Sequence, residues 1–573
     1  MSFLHEICDG RIMGFNEKTF FSDPKITLYI GCDGEIHNSE EVRNILRKKG
    51  YEFKEQNNNE LISNAYKEWG EDCPKVFNGA FAFFIFDRAK RKLILVRDQV
   101  GRIPLYYSHF NGKFIFSSNL NDIIERKAFP KEIDLSALNL YLTLRYIPGE
   151  KTIFKNIHKV LPGSSVRYDI DSRNLEEWKY WEPPLEGTQI GNETELVEEL
   201  ETLLEKSVKL RLDTESNPAG FLSGGLDSSI LVALMSKLTS KPVKTFIVGY
   251  SDKHYNETGY SKVVSDYYQT DHHELFIKPD IDHLIACIAQ LQEPLADPSI
   301  IPTYHALRLA NENANSVLSG DGADGLFLGF RTHVLSSQHL DINNKIPKPL
   351  RQIKGKIAGM FPEEHKLKIF LDNISSSQFF LQRNTVFNNV MRKKLLKGWV
   401  LEELQETINQ PEEYANSVFE SYDGTFSEKM GYFTYKSDPD DILSKIYNLS
   451  RDLDLHVRIP FLDTNIVEFA LGKLPANLKL KGKTTKYILK KIGEKYLPPE
   501  LPLERKRGFN PPLSKWLRNE WFDFAVEILL DGEDGFFEKE YILRLLKLNK
   551  NSNYDQTRRL FSLLVFKIWQ MNH

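Results

Sequence analysis

The chain has 573 residues, more than one hydrophobic core usually organises, so two or more domains are expected. Its composition, 41% hydrophobic and 27% charged, is that of an ordinary globular protein, and its net charge of -4 gives no nucleic-acid or membrane signature. The four cysteines lack metal-ligand or disulfide spacing, and no apolar run approaches the ~18 residues of a membrane span. The early sequence also lacks a signal-peptide core, so we expect a cytoplasmic protein with no nucleic-acid or membrane partner.

Residues 1–185 alternate short apolar runs with turns, which predicts a layered α+β domain with two sheets. A turn is expected at residues 31–34 and a helix at residues 40–49. The nearly continuous apolar run at residues 80–86 indicates a strand buried on both faces. The expected strands are residues 26–30, 80–86, 92–96 and 113–117.

Three motifs in this region resemble the class II glutamine amidotransferase domain that precedes asparagine synthetase in that family. They are Asp33-Gly34-Glu35-Ile36-His37-Asn38, Phe77-Asn78-Gly79-Ala80-Phe81-Ala82 and Arg97-Asp98-Gln99-Val100-Gly101-Arg102. The family's nucleophile is a terminal cysteine whose free α-amine helps to activate the thiol. The resemblance therefore implies a glutaminase fold, whose catalytic elements can be checked one by one.

Four of those elements are lost or altered. The terminal cysteine is replaced by Ser2, and the family's His-Arg-Gly-Pro-Asp segment is missing. The Asn-Gly oxyanion pair reads Asp33-Gly34, and the Asp-x-Glu element reads Asn58-Asn59-Glu60. A carboxylate at the oxyanion position would repel a developing negative charge. We expect an inactive glutaminase that is retained as a scaffold, with Cys8 as a structural cysteine; a wrongly chosen start codon or another nucleophile is the alternative.

The rest of the chain, predicted as a second domain over residues 190–573, is organised around Phe221-Leu222-Ser223-Gly224-Gly225-Leu226-Asp227-Ser228-Ser229. Its flanking apolar residues predict a strand, a glycine turn and a helix. Gly224 and Gly225 allow a sharp turn, and the helix start offers unpaired N–H groups that suit a phosphate. Ser223 and Ser228 add hydroxyl groups, and Asp227 is placed to hold Mg²⁺. A tight turn with a serine cap is the alternative.

Strands that alternate with helices after this motif predict a parallel, doubly wound α/β sheet, with ligands at the carboxyl ends of its strands. Two acidic loops are expected at the same edge. One contains Glu293 and Asp297, and the other is the glycine turn at residues 319–325. Acidic loops that face a phosphate site are expected to act through Mg²⁺, although Asp and Gly also form ordinary turns.

The order of these motifs resembles the ATP pyrophosphatase domain of the asparagine synthetase family, which has a HUP-like fold. The resemblance implies Mg²⁺–pyrophosphate ligation by Asp227 and Asp324, and support of acyl-adenylate formation by Asp321. The family usually has Asp-Glu where this chain has Asp324-Gly325, so one carboxylate is absent here. The residues that the resemblance places at ATP are Leu222, Val248, Ser319 and Gly320.

The C-terminal part begins with residues 335–430, whose pattern predicts a helical packing layer. Further on, the resemblance places Lys506 on the pyrophosphate side of the reaction, where a lysine can neutralise developing charge. A solvated basic loop is the alternative. Upstream of Arg458, two acids and an arginine of the family are replaced by Tyr447, Asn448 and His456. We therefore expect a substrate pair other than aspartate and ammonia.

The sequence thus predicts an ATP- and Mg²⁺-dependent ligase that activates a carboxylate as acyl-AMP and transfers it to an amine or ammonia. Without a glutaminase, we expect a specialised-metabolite or peptide-cyclising amide synthase, like the β-lactam and lasso-peptide relatives. An asparagine synthetase and a non-catalytic ATP-binding relative remain alternatives, whereas tRNA modification would need a basic surface. The expected partners are small-molecule or peptide carboxylate and amine substrates, and a homodimer is one candidate assembly.

Overall fold

The structure, a computed structural model, describes residues 4–8, 11–13, 21–23, 28–126, 129–184, 191–212, 218–252, 254–363, 365, 368, 372, 374–504, 509–532, 535–551 and 554–573. Only the backbone is described for residues 4–8, 11–13, 21–23, 348–349 and 351. Ser2 and Lys506 therefore lie outside the described residues, and the side chain of Cys8 does too.

The first region contains two antiparallel sheets with flanking helices. Its strands are β1 (Leu4–Cys8), β2 (Arg11–Met13), β3 (Phe21–Asp23), β4 (Leu28–Ile36), β5 (Gly79–Asp87), β6 (Lys92–Arg97), β7 (Tyr106–Phe110), β8 (Lys113–Ser117), β9 (His158–Lys159), β10 (Ser164–Asp169) and β11 (Leu175–Lys179). Its helices are α1 (Ser39–Lys48), α2 (Asn58–Trp69), the 3-10 helix Gly70–Val76, α3 (Leu120–Ile124) and α4 (Leu135–Leu144). The sheet orders are β2-β1-β8-β7-β9 and β11-β10-β6-β5-β4-β3.

Aromatic side chains fill the space between these two sheets. Phe84 of β5 and Phe116 of β8 are fully buried, with ring centroids 5.1 Å apart. The other face of β5 packs Phe81 and Phe83 into the core beneath α1 and α2. Tyr141 of α4 belongs to the core on the outer face of the other sheet, which contains β7 and β8. β5 is therefore buried on both faces as predicted, and the region is a helix–sheet–sheet–helix sandwich.

The turn predicted at residues 31–34 is wrong. β4 continues through these residues to Ile36 and pairs with β5, with Gly31 opposite Phe84 and Gly34 opposite Phe81. Pairing with a buried aromatic strand outweighs the turn preference of the Gly-Cys-Asp-Gly sequence.

The second region is built on a parallel sheet of order β14-β13-β12-β15-β16. Its strands are β12 (Ala219–Phe221), β13 (Lys244–Tyr250), β14 (Asp271–Ile277), β15 (Ser316–Leu318) and β16 (His456–Arg458); β17 (Leu480–Lys481) and β18 (Thr484–Thr485) form a separate pair. Every neighbouring pair of the five-stranded sheet is parallel. The chain runs outward from β12 to β13 and β14, then returns to β15 on its other side. The predicted doubly wound α/β sheet is confirmed, and its strand order reverses at β12.

Helices cover this sheet and continue to the C-terminus, which confirms the predicted helical C-terminal part. Those that accompany the sheet are α5 (Glu193–Arg211), α6 (Leu226–Leu238), α7 (Thr258–Tyr268), α8 (Ile281–Ala289), α9 (Ile300–Asn311) and α10 (Ala323–Leu326). The next group is α11 (Arg331–Lys345), α12 (Lys348–Ala358), α13 (Ser376–Asn384), α14 (Asn389–Leu395), α15 (Gly398–Glu403), α16 (Gln410–Glu420), α17 (Phe426–Ser437) and the π-helix Pro439–Leu443. The last group is α18 (Ser444–Ser450), the 3-10 helix Pro460–Leu462, α19 (Thr464–Glu468), the π-helix Phe469–Lys473, α20 (Ala476–Lys479), α21 (Tyr487–Tyr496), α22 (Leu513–Trp516), α23 (Phe522–Leu530), α24 (Lys539–Lys550) and α25 (Thr557–Asn572). In the described part of the chain, none of the helices has the length and apolar character that crossing a membrane requires.

A buried polar contact joins the two regions. Arg211 of α5 pairs with Asp463 at 2.8 Å, and both side chains are almost fully buried. Asn78 of the first region donates hydrogen bonds to both carboxylate oxygens of Asp463 at 3.1 Å. Although burial raises it, Arg211 holds the pKa of the Asp463 carboxyl below its usual range. The contact therefore holds the two regions in one arrangement.

Replacing Arg211 with methionine should lower the free energy of unfolding by about 3–5 kcal/mol, because Asp463 would keep a buried charge without its partner. Urea denaturation measures the change. Lys237→Met is the matched control, since Lys237 pairs with Glu205 at the exposed surface and should have a much smaller effect. Equal effects of the two substitutions would contradict the role assigned to the buried pair.

Candidate active site

Two glycine turns leave the sheet from neighbouring strands at the reversal of strand order. One follows β12 and the other follows β15, and Gly220 pairs with Leu318 where the strands meet. Gly224 has a φ of 72°, and a Cβ there would lie 2.5 Å from the backbone of Tyr260. A Cβ on Gly320 would lie 3.1 Å from the backbone nitrogen of Ser228. Glycine at position 224 thus lets the first turn pass against Tyr260, and glycine at position 320 allows the close approach of the two turns.

The first turn presents hydrogen-bonding groups at the start of α6. The N-cap residue Gly225 supplies no capping side chain. The hydroxyl groups of Ser223 and Ser228 lie 3.1 Å apart, and Ser228 Oγ accepts a hydrogen bond from the Ser223 backbone N–H at 3.3 Å. The helix start, with its amides and dipole, has the properties of an anion-binding site.

Lys486 connects the two predicted metal ligands, and sequence reasoning assigned it no role. Its Nζ pairs with Asp324 Oδ1 at 2.7 Å and with Asp227 Oδ2. Lys486 is buried and stands immediately before α21. Burial lowers the pKa of its ammonium group, but the two carboxylates raise it above the usual range. Lys486 therefore stays charged between Asp227 and Asp324.

A second network surrounds Asp321. Its carboxylate accepts a hydrogen bond from Ser319 Oγ. Lys445 pairs with Asp297 at 3.1 Å and donates to Ser299 Oγ at 2.7 Å. Asp297 and Asp321 raise the pKa of the Lys445 ammonium against the effect of burial. The network holds the positively charged ammonium group of Lys445 near Asp321.

The first region contributes Arg145 to this network. Arg145 ends α4 in the left-handed conformation with a φ of 71°. Its guanidinium pairs with Asp441 and lies 3.6 Å from Asp297. By contrast, Glu293 of the same predicted acidic loop points to the first region, where it pairs with Lys159 at 3.2 Å. Of the two predicted loop carboxylates, Asp297 therefore lies at the site and Glu293 does not.

Asp438 lies beside Gly325, the position where the family's second carboxylate is absent. A Cβ on Gly325 would lie 2.9 Å from Asp438 Oδ2. Asp438 is only 3% exposed, and its Oδ2 has no hydrogen-bond partner among the described residues. Burial, then the nearby charges of Asp441, Asp321 and Asp324, raise the pKa of its carboxyl well above the usual range. The space beside Gly325 is thus occupied by a carboxyl group from another element.

These groups line one cavity of about 800 Å³. Val248 is buried in β13 and is not among the lining residues, although Phe246 and Ile247 are. Glu504 and Phe509, which flank the undescribed segment around Lys506, also line the cavity. The functional roles predicted for the site residues stay predictions. The predicted site residues that line it are Leu222, Ser223, Gly224, Gly225, Asp227, Ser228, Ser319, Gly320, Asp321 and Asp324.

Two positions that depart from the family pattern meet at the interface between the regions. Tyr447 Oη lies 3.2 Å from both Asp33 Oδ2 and the carbonyl oxygen of Ser118, and its single O–H is shared between these two acceptors. Ser118 Oγ also donates to Asp33 Oδ2, at 2.7 Å. Glu60 accepts hydrogen bonds from two backbone N–H groups at residues 54 and 55. Asp33 and Glu60 thus serve structural contacts.

The fold and cavity define a two-part protein, in which a class II glutamine amidotransferase-like sandwich precedes a parallel α/β domain with a helical C-terminal part. The family profile described as "Asparagine synthase" matches residues 199–571, and the "Glutamine amidotransferase domain" profile matches residues 18–181. The chain belongs to the asparagine synthase family, whose relatives identify it as a carbon–nitrogen ligase.

Relatives match along most of the chain. The glutamine-hydrolyzing asparagine synthetase 1 of Bacillus subtilis (strain 168) is 29% identical over 551 residues, which cover 95% of this chain and 85% of that protein. A Methanocaldococcus jannaschii relative is 32% identical over 452 residues, which cover 75% of this chain and 86% of its own. The glutamine-hydrolyzing asparagine synthetase 3 of Bacillus subtilis is 25% identical, covering 90% of this chain and 81% of that protein.

Glutamate at position 325 should destabilise the protein. Its side chain would begin 2.9 Å from Asp438 Oδ2 and would add a carboxylate to a buried site. We expect Gly325→Glu to lower the free energy of unfolding by about 1–3 kcal/mol, and Asp438→Ala to restore part of it in the double variant. The control is Gly398→Glu, at an exposed helix start with nothing within 4 Å of its Cβ. Additive effects of Gly325→Glu and Asp438→Ala in urea denaturation would refute the predicted clash.

Proposed function

We propose that the protein is an ATP-dependent ligase that forms an amide bond through an acyl-AMP. A substrate carboxylate attacks the α-phosphorus of ATP and releases pyrophosphate. An amine or ammonia then attacks the acyl carbon, and AMP leaves. The observation that carries this proposal is the convergence of the two glycine turns and Lys486 at one cavity. Amides, hydroxyls and a charged lysine placed together can orient a polyphosphate and stabilise its charge.

The nucleotide would bind across the two glycine turns. Phosphate oxygens would accept hydrogen bonds from the first turn of α6 and from the hydroxyl groups of Ser223 and Ser228. Ser319 and Gly320 would contact the nucleotide from the second turn. Leu222 would lie against the adenine, whereas Val248, for which the sequence predicts the same contact, does not line the cavity.

Asp227 and Asp324 would hold Mg²⁺ together with oxygens of the nucleotide. Among the described residues, no group of three or more His, Cys, Asp or Glu side chains is placed to hold a metal. Two carboxylates still fit Mg²⁺, which commonly binds one or two of them plus substrate phosphates and water. When bound, the ion would neutralise charge on the pyrophosphate. Lys486 and Lys506 would add positive charge on that side, and Asp321 would support formation of the acyl-adenylate.

The amine would come from a source other than the protein's own glutaminase. Asp33 occupies the family's oxyanion position and is held by Ser118 and Tyr447. Its carboxylate would repel the negative charge that develops during glutamine hydrolysis. The donor would then be ammonia, a second substrate's amine, or an amine of the same substrate. We therefore favour a specialised-metabolite or peptide-cyclising amide synthase, similar to lasso-peptide cyclases.

The second candidate is an asparagine synthetase that takes nitrogen from ammonia or glutamine. The names of the Bacillus subtilis relatives favour it. Small-molecule or peptide substrates, the absence of nucleic-acid and membrane partners, a homodimer and a cytoplasmic location all stay proposals.

Replacing Lys486 with methionine should slow pyrophosphate release about 10²- to 10³-fold, because the site loses a charge that would stabilise the leaving pyrophosphate. Release would be measured with Mg·ATP, hydroxylamine as the amine, and a panel of carboxylates that includes aspartate. Lys483→Met is the matched control, since Lys483 is exposed three residues earlier. If the wild-type chain binds no Mg·ATP, the ligase proposal is wrong. Binding of Mg·ATP without release of pyrophosphate would favour a non-catalytic relative.

Glutamine should not serve as the nitrogen donor. The assay contains Mg·ATP and a carboxylate that supports pyrophosphate release. Glutamate formation from glutamine should stay at background, while hydroxylamine or ammonia supports amide formation. Amino-acid analysis of the reaction measures glutamate directly. Glutamine-dependent glutamate formation that is lost on substitution of Ser2 or Cys8 would show that the glutaminase is active.

A further inference from the structure

Helix α12 presents a row of apolar side chains to solvent. Leu350, Ile353 and Ile357 are 55%, 54% and 44% exposed, and Met360, two residues after the helix ends at Ala358, is 83% exposed. Ala358 itself is buried, so the helix packs onto the protein through another of its faces. We call the four exposed residues the apolar stripe. Apolar side chains that adjoin on an exposed surface are typical of an interaction site.

The spacing of the apolar stripe is that of a helix–helix seam. Its members follow one another at intervals of three, four and three residues. Apolar residues at such alternating intervals occupy positions a and d of a heptad, whose side chains insert between those of a facing helix. The stripe is narrow and α12 contains no aromatic residue, whereas helices that lie in a membrane surface commonly carry a broader apolar face with Trp or Phe. The expected occupant is therefore a second helix.

The surroundings of the apolar stripe are basic. Residues 342–361 include five basic residues and no acidic residue, in a chain whose net charge is -4. With Leu350 at position a, Lys354 and Lys356 occupy positions e and g, which flank the seam and select its partner by charge. Lys354 is half-buried, and Lys356 is exposed. Two copies of α12 would place lysines against lysines, so charge complementarity favours an acidic partner over a second copy of this chain.

We propose that α12 docks an amphipathic helix of another polypeptide, which has apolar residues at positions a and d and Glu or Asp at positions e and g. The apolar residues would cover the stripe, and the carboxylates would face Lys354 and Lys356. α11 connects this face to the cavity, since Arg331 at its start lines the cavity. Its 15 residues span about 22 Å. The partner would therefore dock outside the cavity, and the proposal does not depend on the ligase function.

Binding of two designed peptides to the full chain tests this proposal. Both have three heptads with Ile at a and Leu at d, but one has Glu and the other Lys at e and g. Fluorescence anisotropy should show the Glu peptide bound about 10-fold more tightly than the Lys peptide. Ile353→Asp should weaken binding of the Glu peptide about 10- to 100-fold, the value of burying one isoleucine. Lys356→Glu should shift the preference toward the Lys peptide.

The matched control is Ile45→Asp, because Ile45 is an isoleucine on α1 that is 41% exposed; it should leave peptide binding unchanged. No binding of the Glu peptide, or undiminished binding by Ile353→Asp, would overturn the proposal. So would a urea midpoint that Ile353→Asp lowers far more than Ile45→Asp, since the chain itself would then cover the stripe.

Two further results would assign the apolar stripe to a different occupant and overturn the proposal. One is a dimer in sedimentation equilibrium that Ile353→Asp dissociates, because a second copy would then occupy the stripe. The other is binding to phosphatidylglycerol vesicles that Ile353→Asp abolishes, without binding of the Glu peptide, because the face would then contact a membrane surface.

Discussion

The close approach of two glycine turns at the reversal of strand order is the constraint on which the rest of the site depends. Gly320 passes so near the start of α6 that a Cβ would lie 3.1 Å from the Ser228 nitrogen. This contact brings Asp227 and Asp324, one from each turn, within reach of a single lysine, Lys486. Larger side chains would separate the turns and remove the common site.

The sequence was sufficient for features that are local along the chain. A glycine turn after an apolar run and before a periodic segment predicts strand, turn and helix, so the parallel sheet and the residues of both turns could be placed. Lys486, Arg145 and Asp438 could not be assigned roles. Lys486 lies 259 residues from Asp227, and Arg145 lies 296 residues from Asp441. Such contacts are set by packing of distant elements, and local patterns do not encode them.

The first region, which precedes the parallel-sheet domain in the chain, also contributes to the wall of the candidate active site. Arg145 places its guanidinium in the network around Asp297, while Asp33 and Tyr447 close a contact between the regions. Both positions of that contact depart from the family pattern, although they lie 414 residues apart. The two residues therefore touch directly across the interface between the regions.

Transfer of oxygen-18 from a labelled carboxylate to the nucleotide tests the central claim most directly. If the carboxylate attacks the α-phosphorus, amide formation leaves one labelled oxygen on AMP, and pyrophosphate carries none. Mass spectrometry of the products from the labelled carboxylate, Mg·ATP and hydroxylamine would detect it. The account predicts labelled AMP in proportion to amide; ADP with labelled phosphate, or amide formed with unlabelled AMP, would contradict it.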